Sequence, residues 1–109
     1  MTLAEIKKNI RLIGGFDESV IPDADLDSFL AMVEEEYLNL HDRLQIELTG
    51  TDRDILAQTD TIIPYPLFFT YRTAYLLSVR EATDNGNRLE GLYMNELNNM
   101  RKEIMYGKE

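Results

Sequence analysis

Cysteine is absent and histidine occurs once, in a chain of 109 residues. The first absence excludes disulfides and thiolate metal sites and is compatible with a reducing compartment. The second means that any catalytic triad would have to be built around His41, and none of Ser19, Ser28 or Ser78 sits in a Gly-x-Ser-x-Gly context. Gly14-Gly15 lacks the lysine and the spacing of a phosphate loop or a dinucleotide fingerprint. Long apolar runs are missing too: the longest uncharged stretch lies between Asp60 and Arg72 and is broken by Pro64 and Pro66, short of the ~20 residues a membrane span requires. The opening Met1–Lys8 mixes charges with apolar residues at helical spacing, unlike the apolar core of a signal peptide. These absences predict a soluble protein made and kept inside a cell, or inside something assembled there. No enzyme, cofactor, metal or membrane role is expected.

Positive charge is scarce. Lys and Arg number 11 against 20 Asp and Glu, a net −9, and residues 1–65 hold 5 bases against 14 acids while residues 66–109 hold 6 of each. Such a surface repels a phosphate backbone, because nucleic-acid affinity comes chiefly from Lys and Arg displacing counterions. Sequence-specific nucleic-acid binding is not expected.

What is present is helical periodicity over a length suited to one domain, residues 1–109. Thr2 and Glu5 have capping-box spacing, Leu3, Ile6, Ile10 and Ile13 follow at helical intervals, and Gly14-Gly15 ends this first helix. Pro22 and the acids Asp23, Asp25 and Asp27 introduce a second helix from about Asp23 to about His41, with Leu26, Phe29, Leu30, Val33, Tyr37, Leu40 and Leu44 continuing one apolar face. Two arrangements fit residues 44–63: a short two-stranded β-ribbon, from the alternation of Leu44, Ile46 and Leu48 and from Thr61-Ile62-Ile63, or a helix extension and a loop with one turn near Arg53–Ala57.

Pro64 and Pro66 are expected to hold Ile63 and Tyr65 extended, with Pro66 in the first turn of a third helix. That helix reads as apolar on two sides, one through Phe68, Tyr71, Tyr75, Val79 and Ala82, the other through Phe69, Thr73, Leu76 and Leu77. Arg72 and Arg80 mark its polar edge. Gly86 is the expected left-handed residue of the turn Asp84–Asn87, and Asn87 the expected cap of a fourth helix that carries Leu89, Tyr93, Leu97, Met100 and Ile104 on one face. So short a connection predicts an antiparallel hairpin. The predicted class is all-α, a small four-helix domain.

Three constellations have sharper alternatives. Asp23-x-Asp25-x-Asp27 with Glu34 at the twelfth place has the skeleton of an EF-hand loop, but the sixth place is Ser28 rather than the turn-making glycine, and Pro22 interrupts an entering helix. An acidic helix start accounts for it. Glu34-Glu35-Glu36 lacks the Glu-x-x-His of di-iron bundles and reads as a solvated face. Tyr37, Tyr71, Tyr75 and Tyr93 fall on apolar faces without interleaved bases, which suits core or protein interface better than base stacking.

Taken together, Leu3-x-x-Ile6-Lys7-x-x-x-Arg11, the acidic turn, the helix Leu26–Leu40, and Pro66-x-x-x-x-Tyr71-x-x-Ala74-Tyr75-Leu76-Leu77 ending in Arg80-Glu81 resemble the head–tail connector (adaptor, neck) proteins of tailed bacteriophages. The resemblance spans most of the chain outside about residues 42–62. It implies a structural virion protein of the phage neck, present in the host cytoplasm during assembly. Such a subunit forms a homo-oligomeric ring, commonly twelvefold, that joins the portal protein to a downstream neck or tail protein and lets DNA pass. On that basis Phe69, Leu76 and Leu77 are expected either under a cover supplied by the first and second helices or, without it, in an intersubunit wall, with Leu48, Ile62, Ile63 and Tyr65 against portal or neck, and Met105 and Tyr106 in a further docking element. The rival expectations are a small acidic regulatory protein that mimics nucleic-acid charge, suggested by the first 65 residues, and a helical dimerisation module.

Overall fold

The computed structural model describes residues 1–43, 56 and 63–106. The segment expected as ribbon or loop, with Leu48 and Ile62, lies outside the described residues apart from Leu56 and Ile63. Four helices follow in order: α1 Leu3–Gly14, α2 Asp23–Arg43, α3 Pro66–Arg80 and α4 Gly86–Tyr106. The protein is all-α, as its periodicity indicates, and contains no strand among the described residues.

Helix α3 packs against each of the other three. Its direction relative to α4 follows from contacts that run in opposite order along the two helices: Ser78 lies beside Gly86, the Tyr75 hydroxyl donates to Glu90, Arg72 stacks on Tyr93 and the Tyr65 hydroxyl donates to Glu103. Asp25 with Arg80 and Glu36 with Arg72 set α2 antiparallel to α3 in the same way. Helix α1 runs parallel to α3, since Ile63 N–H donates to the Met1 carbonyl at one end and Asn85 reaches the Gly14 carbonyl at the other. The result is an up-down-up-down bundle.

The core contains Ile6 and Ile10 of α1, Leu26, Leu30, Val33 and Tyr37 of α2, Phe68, Phe69, Ala74 and Leu77 of α3, and Leu89 and Met100 of α4. Thr70, Thr73 and Ser78 are buried with them, so the covered arc of α3 is broader and more polar than its apolar residues suggest. Thr70 and Ser78 satisfy their hydroxyls on the Pro66 and Tyr75 carbonyls. The expected stripe through Tyr71, Tyr75 and Val79 is not core: both tyrosines are half-buried and Val79 is 59% exposed.

The helix ends show where local rules held and where packing overrode them. Thr2 and Glu5 form the capping box, with Glu5 N–H to Thr2 Oγ1 at 3.4 Å and Thr2 N–H to Glu5 Oε1 at 3.0 Å. Gly15 is left-handed at φ 68, and the Phe16 N–H returns to the Arg11 carbonyl, closing α1. Phe16 then folds its ring so closely over Gly14 that a Cβ there would overlap it.

The α3–α4 turn differs from expectation. Its left-handed residue is Ala82, φ 53, rather than Gly86, and α4 starts at Gly86, so Asn87 is inside the helix and not its cap. Thr83 N–H to Ser78 C=O and Ala82 N–H to Val79 C=O complete a Schellman motif with alanine in the glycine position. Tyr65 is likewise left-handed, φ 51 and ψ 53, rather than extended. Its ring lies 6.3 Å from that of Tyr37, and these contacts with Tyr37 and Glu103 hold a conformation that costs about 1–2 kcal/mol for a non-glycine residue.

The acidic start of α2 is paired at the surface with basic partners on neighbouring helices. Lys7 Nζ lies 2.8 Å from Asp27 Oδ1 and 3.3 Å from Asp23 Oδ2, Arg11 reaches Asp23 Oδ1 and the Ile21 carbonyl, and Arg80 reaches Asp25 at 3.2 Å. The acids that resemble a calcium loop thus pin α2 to α1 and α3. Glu34 and Glu36, expected to be solvated, accept from Leu56 N–H and Arg72.

Ala82→Gly relieves the left-handed strain and should raise stability by about 0.5–1 kcal/mol in urea denaturation; an unchanged or lower midpoint contradicts the assignment. A second expectation concerns pH. The Arg11 and Lys7 partners hold the Asp23 carboxyl below its ordinary range, and Asp27 with Asp23 holds the Lys7 ammonium above its own. A depressed acid contributes stability above its unfolded pKa and loses it as pH falls through the folded value. A raised lysine contributes below its unfolded pKa and loses it as pH rises through the folded value. The clasp is therefore complete between roughly pH 5 and pH 10. Asp23→Asn should lower Tm across that window, less so in high salt, and should flatten the acid limb of the stability profile; a parallel shift at every pH contradicts it.

Candidate functional site

At the end of the bundle where α2 and α4 finish and α3 begins, the three helices diverge around a cleft of about 250 Å3. Its apolar lining comes from Leu40, Phe68 and Leu97, and its polar groups are Glu36, Asn39, Arg43, Arg72 and Arg101, with Tyr93 on one wall. Leu40, Arg43 and Asn39 reach it because they occupy one side of the last turns of α2, while Leu97 and Arg101 are four apart on α4 and so share a face.

Arg72 holds the site together. Its Nε and Nη2 donate to the two oxygens of Glu36 at 2.8 and 2.9 Å, a bidentate pair across α2 and α3, and its guanidinium lies 4.6 Å from the Tyr93 ring centroid and 5.7 Å from that of Tyr75. The Glu36 bond holds the Arg72 pKa above its usual value against the opposing effect of burial. One side chain thereby ties α2, α3 and α4 where they splay. Beside it, His41 is buried at 4% exposure, donates from Nδ1 to the Tyr37 carbonyl at 2.9 Å and meets the Tyr37 ring edge-on.

The chemistry of this lining is recognition. Glu36 is committed to Arg72, whereas Arg43 and Arg101 have no hydrogen bond or ion pair among the described residues. Two guanidiniums over an apolar floor suit carboxylates carried next to an aliphatic or aromatic side chain. The volume falls below the ~300–1,000 Å3 typical of small-molecule sites and matches side chains of a docking segment better. Among the described residues no group of acids and histidines is arranged to hold a metal.

The residues expected at interfaces are distributed differently. Ile63, Phe69 and Leu77 are 1%, 0% and 0% exposed, so within the subunit they are core, and for Phe69 and Leu77 the cover comes from the chain itself. Tyr65 and Leu76 are half-buried and pack against that core. Met105 and Tyr106 are exposed, on the last turn of α4. The cleft arginines were missed because each looks like an ordinary polar-face residue in one dimension. No signal in the sequence marks them, since α1 and α3 also carry a base in their last turns, Arg11 and Arg80.

In comparisons with protein-family models, curated proteins and solved structures, nothing matches this chain.

Arg72→Ala should cost about 1–2 kcal/mol, and a double-mutant cycle with Glu36→Gln should return a coupling of about 1 kcal/mol, kept modest because Glu36 is partly solvated. Additive single effects contradict the bidentate clamp.

Proposed function

We propose that this protein is a structural subunit of a phage neck, a connector that assembles as a ring between the portal and the next neck or tail protein. The resemblance of its helical pattern to head–tail connector proteins motivates the reading. The observation that carries it is the exposed last turn of α4. Tyr65 at the start of α3 is level with Glu103, so α4 continues past the body of the bundle, and there Met105 and Tyr106 are 57% and 75% exposed. A closed bundle that keeps its central helix for itself and leaves a large aromatic side chain on an overhanging turn suits docking to another protein by that turn. The net charge of −9 suits a conduit through which DNA passes without adhering.

The acidic mimic remains the second reading, favoured by the acid excess of residues 1–65, although Asp23, Asp25 and Asp27 are already paired internally.

Candidate portal rings, mixed with the protein and viewed by negative-stain microscopy with mass measurement, should acquire one added layer with the portal's own symmetry, commonly twelvefold. Met105→Asp with Tyr106→Asp should weaken decoration by about tenfold or more while leaving helicity intact. Bare portal rings together with a discrete heterocomplex with a DNA-binding protein favour the mimic, and a persistent dimer indifferent to portal favours the dimerisation module.

A further inference from the structure

Arg43 and Arg101 are two bases in one cleft, whereas the other unpaired bases among the described residues, Lys8 and Lys102, are exposed and do not line it. Lys7, Arg11, Arg72 and Arg80 are each paired with a carboxylate, and Arg88 donates to the Ile13 carbonyl. In a protein with nearly twice as many acids as bases, two guanidiniums line the same apolar floor with no carboxylate partner among the described residues, which makes the cleft a candidate receptor for acids.

A complementary element lies at the opposite end of the bundle. The α1–α2 connection, residues 15–22, is anchored on both sides by buried side chains, Phe16 at 5% and Ile21 at 0% exposure. Between them the Val20 and Ile21 N–H groups donate to the Asp17 carbonyl at 3.0 and 2.8 Å, which fixes a tight turn. Asp17, Glu18, Ser19 and Val20 all project outward, Val20 at 53% exposure. The Asp17 carboxylate meets only the Ser19 N–H, at 3.4 Å, and neither Asp17 nor Glu18 pairs with a cation among the described residues. The turn thus presents two free carboxylates and an aliphatic side chain already held in shape, which lowers the ordering cost of docking.

We infer that the Asp17–Val20 turn of one copy seats in the α2/α3/α4 cleft of another, with Asp17 and Glu18 on Arg43 and Arg101 and Val20 on the floor formed by Leu40, Phe68 and Leu97. Turn and cleft lie at opposite ends of one bundle, so the turn of a chain does not reach that chain's own cleft. The contact is heterologous, and it closes into a ring when the rotation between copies permits. It supplies the subunit contact of the ring proposed above and rests on that reading for its closure.

Because the chain has no cysteine, single cysteines give an unambiguous test. Ser19→Cys in the turn and Asn39→Cys on the cleft wall leave all four charges in place. The two singly substituted proteins are mixed and treated with a short bismaleimide, and Ser28→Cys, exposed on α2, replaces Asn39→Cys in the control. The expected result is a 19–39 cross-linked dimer about tenfold above control, reduced to control level by high salt or by Arg43→Glu with Arg101→Glu. It should be regained when the reversed cleft meets a turn carrying Asp17→Lys and Glu18→Lys. A yield equal to control, a yield indifferent to charge reversal, or a loss that the reversed turn does not rescue overturns the inference. Portal decoration separates its failure from that of the connector reading. Decoration that survives reversal of the cleft leaves the connector and removes this contact. Charge-dependent 19–39 cross-linking in a protein that ignores portal rings keeps the contact and removes the connector.

Discussion

Covering α3 is the constraint on which the rest of the structure depends. Its buried arc runs from Phe68 through Phe69, Thr70, Thr73, Ala74 and Leu77 to Ser78, too wide for one neighbouring helix. Packing of α1, α2 and α4 on separate sides of it removes that surface from water. At roughly 25 cal/mol per Å2 of apolar area, this is the main favourable contribution to a bundle of this size. The short, amphipathic α1 persists because its apolar face contributes Ile6 and Ile10 to that cover.

Charge directs the same assembly. An acid-rich chain repels itself unless its acids meet cations, and here the acids at the start of α2 meet Lys7, Arg11 and Arg80 on two other helices. These exposed pairs contribute little each; their value is positional, since they hold the N-terminal end of α2 between α1 and α3. At the other end of α2 the bidentate Arg72–Glu36 pair has the equivalent place, reinforced by Tyr93. With these bases used internally, Arg43 and Arg101 are the cleft arginines without a carboxylate partner among the described residues.

Two left-handed residues show how connections yield to packing. Tyr65 and Ala82 flank α3, and both adopt a conformation that glycine takes without strain. At Ala82 the Schellman hydrogen bonds satisfy the last carbonyls of α3, and at Tyr65 the ring and hydroxyl contacts to α2 and α4 compensate. Both are consequences of fixing where α3 starts and stops relative to neighbours that are already in place.

The sequence by itself determined the all-α class, the four helices, the capping box of α1, its glycine stop and the antiparallel sense of α3 and α4. Each depends on residues within about one helical turn or on a short connection, and such interactions are legible in one dimension. Tertiary structure alone decided between the two covers open to Phe69 and Leu77, placing both in the subunit's own core, and decided that Val79 faces out, that Ala82 rather than Gly86 makes the left-handed turn, and that Asp23, Asp25 and Asp27 clasp two other helices. It also decided that Arg43 and Arg101, 58 positions apart in the numbering, line one cleft. A helical face can be read from spacing, but its partner is set by which helices lie beside it, and that is fixed only when α3 has been covered.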